Sequence, residues 1–205
     1  MDNKIVIISG NIGAGKTTLV RRLSNSLKWN ASFEKVEDNA YLTDFYGDMN
    51  RWSFHLQIYF LLHRCKAYQK MMALEEPGFM DRSVEEDLEI FSYVLNKNEN
   101  LSDRDYETYR HMFNEMVSHL SKPRLLIYLK GSINTLLHRI SLRNRDMEKG
   151  IDPGYLAQLN HAYDRWIRMV IKRDEYPVKV VDINKIDIET DLFTFNDIVA
   201  ELEKI

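Results

Sequence analysis

The chain of 205 residues holds a single cysteine, Cys65. No intramolecular disulfide can brace it, and this usage suits a reducing compartment. Proline is scarce, at four residues, and glycine stands at eight. No Pro/Gly/Ser-rich linker, internal repeat or low-complexity tract divides the sequence, so one domain over 1–205 with a substantial core is expected. No apolar run approaches the roughly 18 residues of a membrane span. A cleavable leader is not expected, because the first strand pattern begins within four residues of Met1. A cationic surplus is missing as well. The net charge of −3 gives no general reason to expect nucleic-acid or membrane partners. What remains is a cytoplasmic globular domain.

Against that background one motif stands out. Gly10-Asn11-Ile12-Gly13-Ala14-Gly15-Lys16-Thr17 is a complete G-x-x-x-x-G-K-T phosphate loop. It follows the apolar run Ile5-Val6-Ile7-Ile8 and opens a helix at Lys16-Thr17-Thr18-Leu19, the context the motif requires. Its glycines let backbone N–H groups converge on a polyphosphate, and the helix adds its positive dipole end. Lys16 can reach the β- and γ-phosphates, and the Thr17 hydroxyl can ligate Mg²⁺. A chance glycine turn would lack the flanking strand and helix. The motif implies a bound nucleoside triphosphate.

The rest of the chain alternates strand and helix patterns. Strand-like runs recur at Ile5–Ser9, near Ser32–Val36, around Phe79-Met80, at Leu125–Leu129 and at Val178–Asp182, with long helical patterns between them, notably 50–76 and 102–121. The expected fold is α/β, a P-loop kinase-type parallel sheet of about five strands flanked by helices. Ligands of such sheets bind at the carboxyl ends of the strands, which directs attention to Gly10, Glu34, Asp81 and Asp182.

Three constellations there carry chemistry. Glu34, across the sheet top from the phosphate loop, can act as base toward a hydroxyl; an acidic residue at a strand end is also commonly a solvated loop residue. Asp81-Arg82-Ser83 closes another short strand. Asp81 could orient Mg²⁺ or accept a proton, and Arg82 could grip phosphate oxygens bidentately; a surface ion pair is the bland alternative. Arg139, Arg143 and Arg145 cluster at a helix end and could close over a triphosphate as a lid, although a solvated basic helix end would read the same way.

Taken together, these residues resemble the deoxyribonucleoside kinase family, in particular the short bacterial deoxyadenosine, deoxyguanosine and deoxycytidine kinases. The similarity runs from about Ile5 to Asp182, with the helix Arg51–Arg64 among its clearest parts. The resemblance implies that Glu34 activates the sugar 5′-hydroxyl, although Lys35 stands where many members have proline. It implies that Tyr46 and Glu148 hold the 3′-hydroxyl, that Gln57 reads the base edge, and that Phe91 stacks on the base. Asp81-Arg82-Ser83 matches the family's acidic-Arg-Ser signature; either Asp81 or Glu34 could be labelled the base, with Glu34 favoured and Asp81 near the metal. Arg139, Arg143 and Arg145 match lid arginines, and Lys185, Ile186 and Asp187 fall where a loop would cover the ATP adenine. Arg64 and Asp87 match a pair found in members that accept deoxyadenosine, deoxyguanosine or deoxycytidine. Without the family both would be read as helix-surface charges. The resemblance thus implies ATP and Mg²⁺ as cofactors, a small deoxynucleoside as substrate with deoxyadenosine first, and a homodimer through the long helices.

Two other classes share parts of the pattern. Asn184-Lys185-Ile186-Asp187 spells the N-K-x-D guanine motif of regulatory GTP switches, but no well-placed Asp-x-x-Gly accompanies it. Nucleoside monophosphate kinases of the thymidylate type combine a phosphate loop, an Asp-Arg pair and a lid. They also need cations for the acceptor's phosphate, whereas Phe33-Glu34-Lys35-Val36-Glu37-Asp38 is acidic and suits a neutral acceptor.

Overall fold

The computed structural model describes residues 4–34, 39–143 and 151–204. Its centre is β1 (Ile5–Gly10), buried along its whole length. Alternate side chains of a strand leave opposite faces. Ile5 and Ile7 therefore join one core cluster while Val6 and Ile8 join the other. Both faces are covered, and for that reason the strand reads as an unbroken apolar run rather than an alternation.

The remaining elements follow in the order α1 (Lys16–Leu27), β2 (Asn30–Ser32), α2 (Leu42–Gly47), α3 (Met49–Met72), β3 (Gly78–Asp81), a π-helical turn (Asp87–Ser92) running into α4 (Tyr93–Lys97), α5 (Asp103–Val117), β4 (Leu125–Lys130), α6 (Ile133–Arg143), α7 (Pro153–Arg173), β5 (Val178–Asp182) and α8 (Leu192–Leu202). The five strands form one sheet in the order β2-β3-β1-β4-β5, and every pairing is parallel. Leu19 and Leu23 of α1, Leu136 of α6 and Ile198 of α8 cover one face. Leu61 of α3, Tyr109 of α5 and Trp166 of α7 cover the other. Each fully buried aliphatic side chain of this kind contributes about 1.5–3 kcal/mol.

Register then builds the site. Ile8 lies opposite Asp81 on one side and Ile127 on the other, so the ends of β1 and β3 come level. The chain winds to one side of β1 for β2 and β3 and crosses to the other for β4 and β5. The carboxyl end of β1 is thus the place where the winding reverses, and open α/β sheets bind ligands there.

The expected fold class holds, and three boundaries differ. β2 covers only Asn30–Ser32, because its ladder is set by β3: Asn30 pairs with Gly78 and Ser32 with Met80. Glu34 therefore sits two residues beyond the strand, and Val36 lies outside the described residues. The long helices stop at Met72 and Val117, earlier than their periodicity suggests. Pro77 and Pro123 lie a few residues on and favour extended backbone before them. The π-helical turn has no sequence signature; it is a local irregularity of a kind that recurs at functional sites.

Candidate active site

The phosphate loop is shaped by its glycines. Gly13 and Gly15 hold φ of 81° and 91°, a region that L side chains rarely adopt. A β-carbon on Gly13 would also sit 2.8 Å from both Ile140 Cγ1 and the Leu136 carbonyl oxygen. Asp48, Ser102, Asp152 and Asp191 cap α3, α5, α7 and α8 with their side chains, whereas the residue before α1, Gly15, has no side chain to cap it with. Its first N–H groups stay available to an anion. Asn11 is buried and stitches the loop to α7, its Nδ2 donating to the Leu156 carbonyl at 3.1 Å and to Asn160 Oδ1 at 3.3 Å. Lys16 Nζ folds back onto the Asn11 carbonyl at 3.1 Å. Burial, then the nearby Arg82 charge, pulls its pKa down to about 8; a bound polyphosphate would restore the fully charged ammonium.

Beside Lys16, the Thr17 hydroxyl donates to Asp81 Oδ2 at 2.5 Å. The other carboxylate oxygen, Asp81 Oδ1, is buried with no hydrogen-bond partner, and burial pushes the Asp81 pKa up. An unpaired buried oxygen next to a phosphate-loop threonine suits a small divalent cation. Among the described residues no group of three or more His, Cys, Asp or Glu side chains could hold a metal, so an ion here would complete its shell with water and phosphate oxygens, as Mg²⁺ does.

From Lys16 and Thr17 a cavity of about 140 Å³ extends toward α3, with Glu34, Tyr46, Gln57, Arg64, Asp81, Arg82, Asp87, Phe91, Arg143 and Tyr155 in its lining. Its polar wall is a chain of buried charges. Arg64 Nε donates to Asp87 Oδ2 at 2.9 Å, and its Nη2 donates to Glu34 Oε1 at 2.7 Å. Arg82 Nε reaches Glu34 Oε2 at 3.3 Å, and its Nη1 donates to Glu86 Oε2 at 2.8 Å. Burial works against the Glu34 charge, but the Arg82 and Arg64 guanidiniums outweigh it and hold the carboxyl at about 2. Asp87 is more deeply buried, and desolvation pushes it up to about 6 against the pull of Arg64. Burial alone would lower the Arg64 pKa; the Asp87 and Glu34 carboxylates reverse this and raise it, so its charge is fixed. On the apolar side, Arg82 lies 4.7 Å from the centre of the Phe91 ring. Ser92 donates to Gln57 Oε1 at 3.3 Å, leaving the Gln57 amide nitrogen for another acceptor.

A phosphate loop facing a pocket lined with buried charged side chains suits phosphoryl transfer, and known proteins say to what. A family model described as deoxynucleoside kinase matches residues 6–205. The chain is 36% identical over 206 residues to the deoxyadenosine/deoxycytidine kinase of Bacillus subtilis, covering 99% of this chain and 93% of that one. It is 36% identical over 203 residues to the deoxyguanosine kinase of the same organism, covering 98% and 96%. The structure of the deoxyadenosine kinase from M. mycoides with the products dCMP and a flexible dCDP bound superposes with a TM-score of 0.86. It is 32% identical, with 98% of this chain and 100% of that chain covered. The chain belongs to the deoxynucleoside kinase family.

Within this deoxynucleoside kinase most of the sequence-identified residues converge on one cavity. Arg139 is different. Its guanidinium donates to three backbone carbonyls, those of Ala14 (3.1 Å), Ile183 (3.2 Å) and Ile186 (2.7 Å). It pins the segment after β5 to the phosphate loop, while Arg143, one turn on, lines the cavity. Ile186 is thereby tied to the phosphate loop, and Ile188 and Arg139 Nη1 both lie 3.5 Å from where a Gly15 β-carbon would be. Arg145 and Glu148 lie outside the described residues. The N-K-x-D run is committed elsewhere: Asn184 Oδ1 accepts from Ser132 N and Thr135 Oγ1, and Asp187 caps Glu189 N and Thr190 Oγ1. Sequence reasoning missed Tyr155, Glu86 and Tyr163. Tyr155 faces the cavity three residues into α7; nothing in its periodicity separates it from ordinary core.

Proposed function

We propose that this kinase transfers the γ-phosphoryl group of ATP to the 5′-hydroxyl of deoxyadenosine, with deoxyguanosine or deoxycytidine as further substrates, and that residues 1–205 act as one kinase unit. The observation that carries the reading is the position of Glu34. Its carboxylate lines the same cavity as Lys16 and the Thr17–Asp81 pair on one side and Arg64–Asp87 on the other. A nucleoside spanning that cavity would put its 5′ end at Glu34 and its base at Gln57 and Arg64–Asp87.

In this mechanism Glu34 accepts a hydrogen bond from the 5′-hydroxyl and orients it for in-line attack. The new bond joins the 5′-oxygen to phosphorus, the bond from phosphorus to the bridging oxygen breaks, and ADP leaves with that electron pair. The hydroxyl proton passes to the Glu34 carboxylate. Held at about 2, Glu34 is a weak base in the nucleoside-free enzyme. It takes the proton late, once phosphorus has withdrawn charge from the oxygen, which a loose transition state permits. Asp81 is assigned the metal instead, because its bond to Thr17 and its unpartnered Oδ1 suit a cation beside the phosphate loop. Mg²⁺, when bound near Thr17 and Asp81, supplies charge neutralisation on the phosphate oxygens. Lys16, Arg82 and Arg143, with Arg145 beyond them, supply positive charge around the transferring group, whereas Arg139 serves the phosphate loop from behind through its three carbonyl contacts; electrostatics of this kind accounts for most of the catalysis such reactions need. Tyr46 and Glu148 hold the sugar 3′-hydroxyl, Phe91 stacks on the base, and Lys185, Ile186 and Asp187 border the adenine of ATP.

The buried Arg64–Asp87 pair suits bases that present an exocyclic amino group or an acceptor ring nitrogen, and it crowds the thymine methyl. Cytoplasmic location is supported by the cysteine count, since the single Cys65 can form no intramolecular disulfide and suits a reducing compartment. No described helix is long and apolar enough to cross a membrane. Exposed Leu62 on α3 and Met112 on α5 support a homodimer through these helices.

The deciding experiment is an ADP-release assay with ATP and Mg²⁺ and each of the four deoxynucleosides, plus dTMP. Rapid turnover of deoxyadenosine with thymidine poor is the expected result. Turnover of dTMP alone would assign the protein to phosphorylated acceptors and remove this reading.

A further inference from the structure

Behind the cavity wall, Arg82 is fastened more firmly than phosphate binding requires. It follows β3 with φ of 85°, a strained value for a residue with a β-carbon. Glu86, entirely buried, reaches back to this turn with both oxygens. Its Oε1 accepts from Ser83 N at 2.9 Å, and its Oε2 accepts from Arg82 Nη1 at 2.8 Å. Tyr163 of α7, also entirely buried, closes a triangle: Arg82 Nη1 donates to its hydroxyl at 2.6 Å, and that hydroxyl donates to Glu86 Oε2. Neither Glu86 nor Tyr163 lines the cavity. A buried trio of this kind stabilises a fold little better than well-packed apolar side chains would, so its distinctive effect is orientation. With Nη1 committed to Glu86 and Tyr163, and Nε to Glu34, one nitrogen of the guanidinium, Nη2, is left for a ligand.

We propose that Glu86 and Tyr163 are positioning residues for phosphoryl transfer, which lock the Arg82 guanidinium in the orientation that meets the reacting group. The proposal rests on the role given to Arg82 above. Released from the triangle, Arg82 would still carry its charge and the pocket would still bind both substrates. The loss would fall on the chemical step, where a misplacement of about 1 Å can cost on the order of 10²-fold.

The test is single-turnover and steady-state kinetics of Glu86→Gln, Tyr163→Phe, Arg82→Ala and the Glu86→Gln/Arg82→Ala double variant, with thermal melts alongside. Glu86→Gln is expected to lower kcat by about 10²-fold and Tyr163→Phe by about tenfold, with KM for ATP and nucleoside within threefold. Two residues acting through a third are non-additive with it. Glu86→Gln is therefore expected to change kcat by less than about twofold in the Arg82→Ala background, whatever its effect on melting temperature. Tyr163→Phe keeps the ring and its packing, and carries the test alone should the Glu86 variant fail to fold. Variants with lower melting temperatures but normal kcat would make the triangle merely structural and overturn the proposal. So would a Glu86→Gln loss that multiplies with an impaired Arg82→Ala. An Arg82→Ala enzyme with intact kcat would remove the catalytic role of Arg82 itself, a failure distinguishable from the other two.

Discussion

The two ends of the active site are made of different material. The phosphate end is built from main chain: Gly13 and Gly15 in left-handed conformations, an uncapped α1 N-terminus, and one reaching side chain, Lys16. The nucleoside end is built from side chains: Glu34, Arg64, Asp87 and Arg82 come from four separate segments and are linked by charge-assisted hydrogen bonds. Main-chain donors are the same whatever the sequence and suit an anion common to all nucleotides. Side-chain donors differ from residue to residue and can distinguish one base from another. Generality is therefore encoded in eight consecutive residues, and selectivity in residues spread over more than fifty.

That contrast can be broken at either end. Glu34→Gln is the largest perturbation of the side-chain end; kcat is expected to fall by roughly 10²-fold, with the ATP dissociation constant unchanged. Stopped-flow phosphoryl transfer and ATP titration check it together, and an unchanged kcat would exclude Glu34 from the mechanism. Gly13→Ala strikes the main-chain end. Its strain and the contact with Ile140 are expected to weaken ATP binding about tenfold while the nucleoside affinity, measured by calorimetry, holds. Arg64→Leu is expected to narrow the kcat/KM preference for deoxyadenosine over thymidine about tenfold; an unaltered ratio in competition assays would show that the base is read elsewhere.

The smallest effect is electrostatic. Glu34 is held at about 2, below its ordinary 4.5, so between those values the unfolded chain binds a proton that the folded one does not. Its contribution to stability is complete above about pH 4.5 and is lost as pH falls toward 2. Denaturant melts from pH 6 to pH 3 are expected to show the gap between the native enzyme and Glu34→Gln narrowing as acid is added. A constant gap would mean that Glu34 is no better stabilised in the fold than in solvent.

The same division of material explains what could be read without a structure. The phosphate end was legible because its determinants are contiguous and its conformation depends on glycine. The five strands were legible because double burial leaves continuous apolar runs, except at β2, where pairing with a strand nearly fifty residues away sets the boundary. Arg64 and Asp87 were legible only through family resemblance. Composition and periodicity make them surface charges, yet both are buried, because an ion pair across two elements cannot be seen from either one. Glu86 sits in the acidic run Glu85-Glu86-Asp87, and nothing local tells which member turns inward. The π-helical turn decides it, with Glu86 just ahead of it and Asp87 and Phe91 within it. The spacing of Arg139 and Arg143 suggests two lid arginines, but spacing does not reveal that three carbonyls already occupy Arg139.

The strand order also has a consequence for how the protein is made. β1 leaves the ribosome first, yet its neighbours are β3, ending at residue 81, and β4, which begins at residue 125. The helix stitched to Asn11 begins at residue 153, and the segment pinned by Arg139 ends near residue 186. The first motif translated thus waits for most of the chain before its surroundings exist. Parallel pairings of such long range form slowly, so a nascent chain interrupted at its midpoint carries the whole phosphate-loop sequence and no phosphate site.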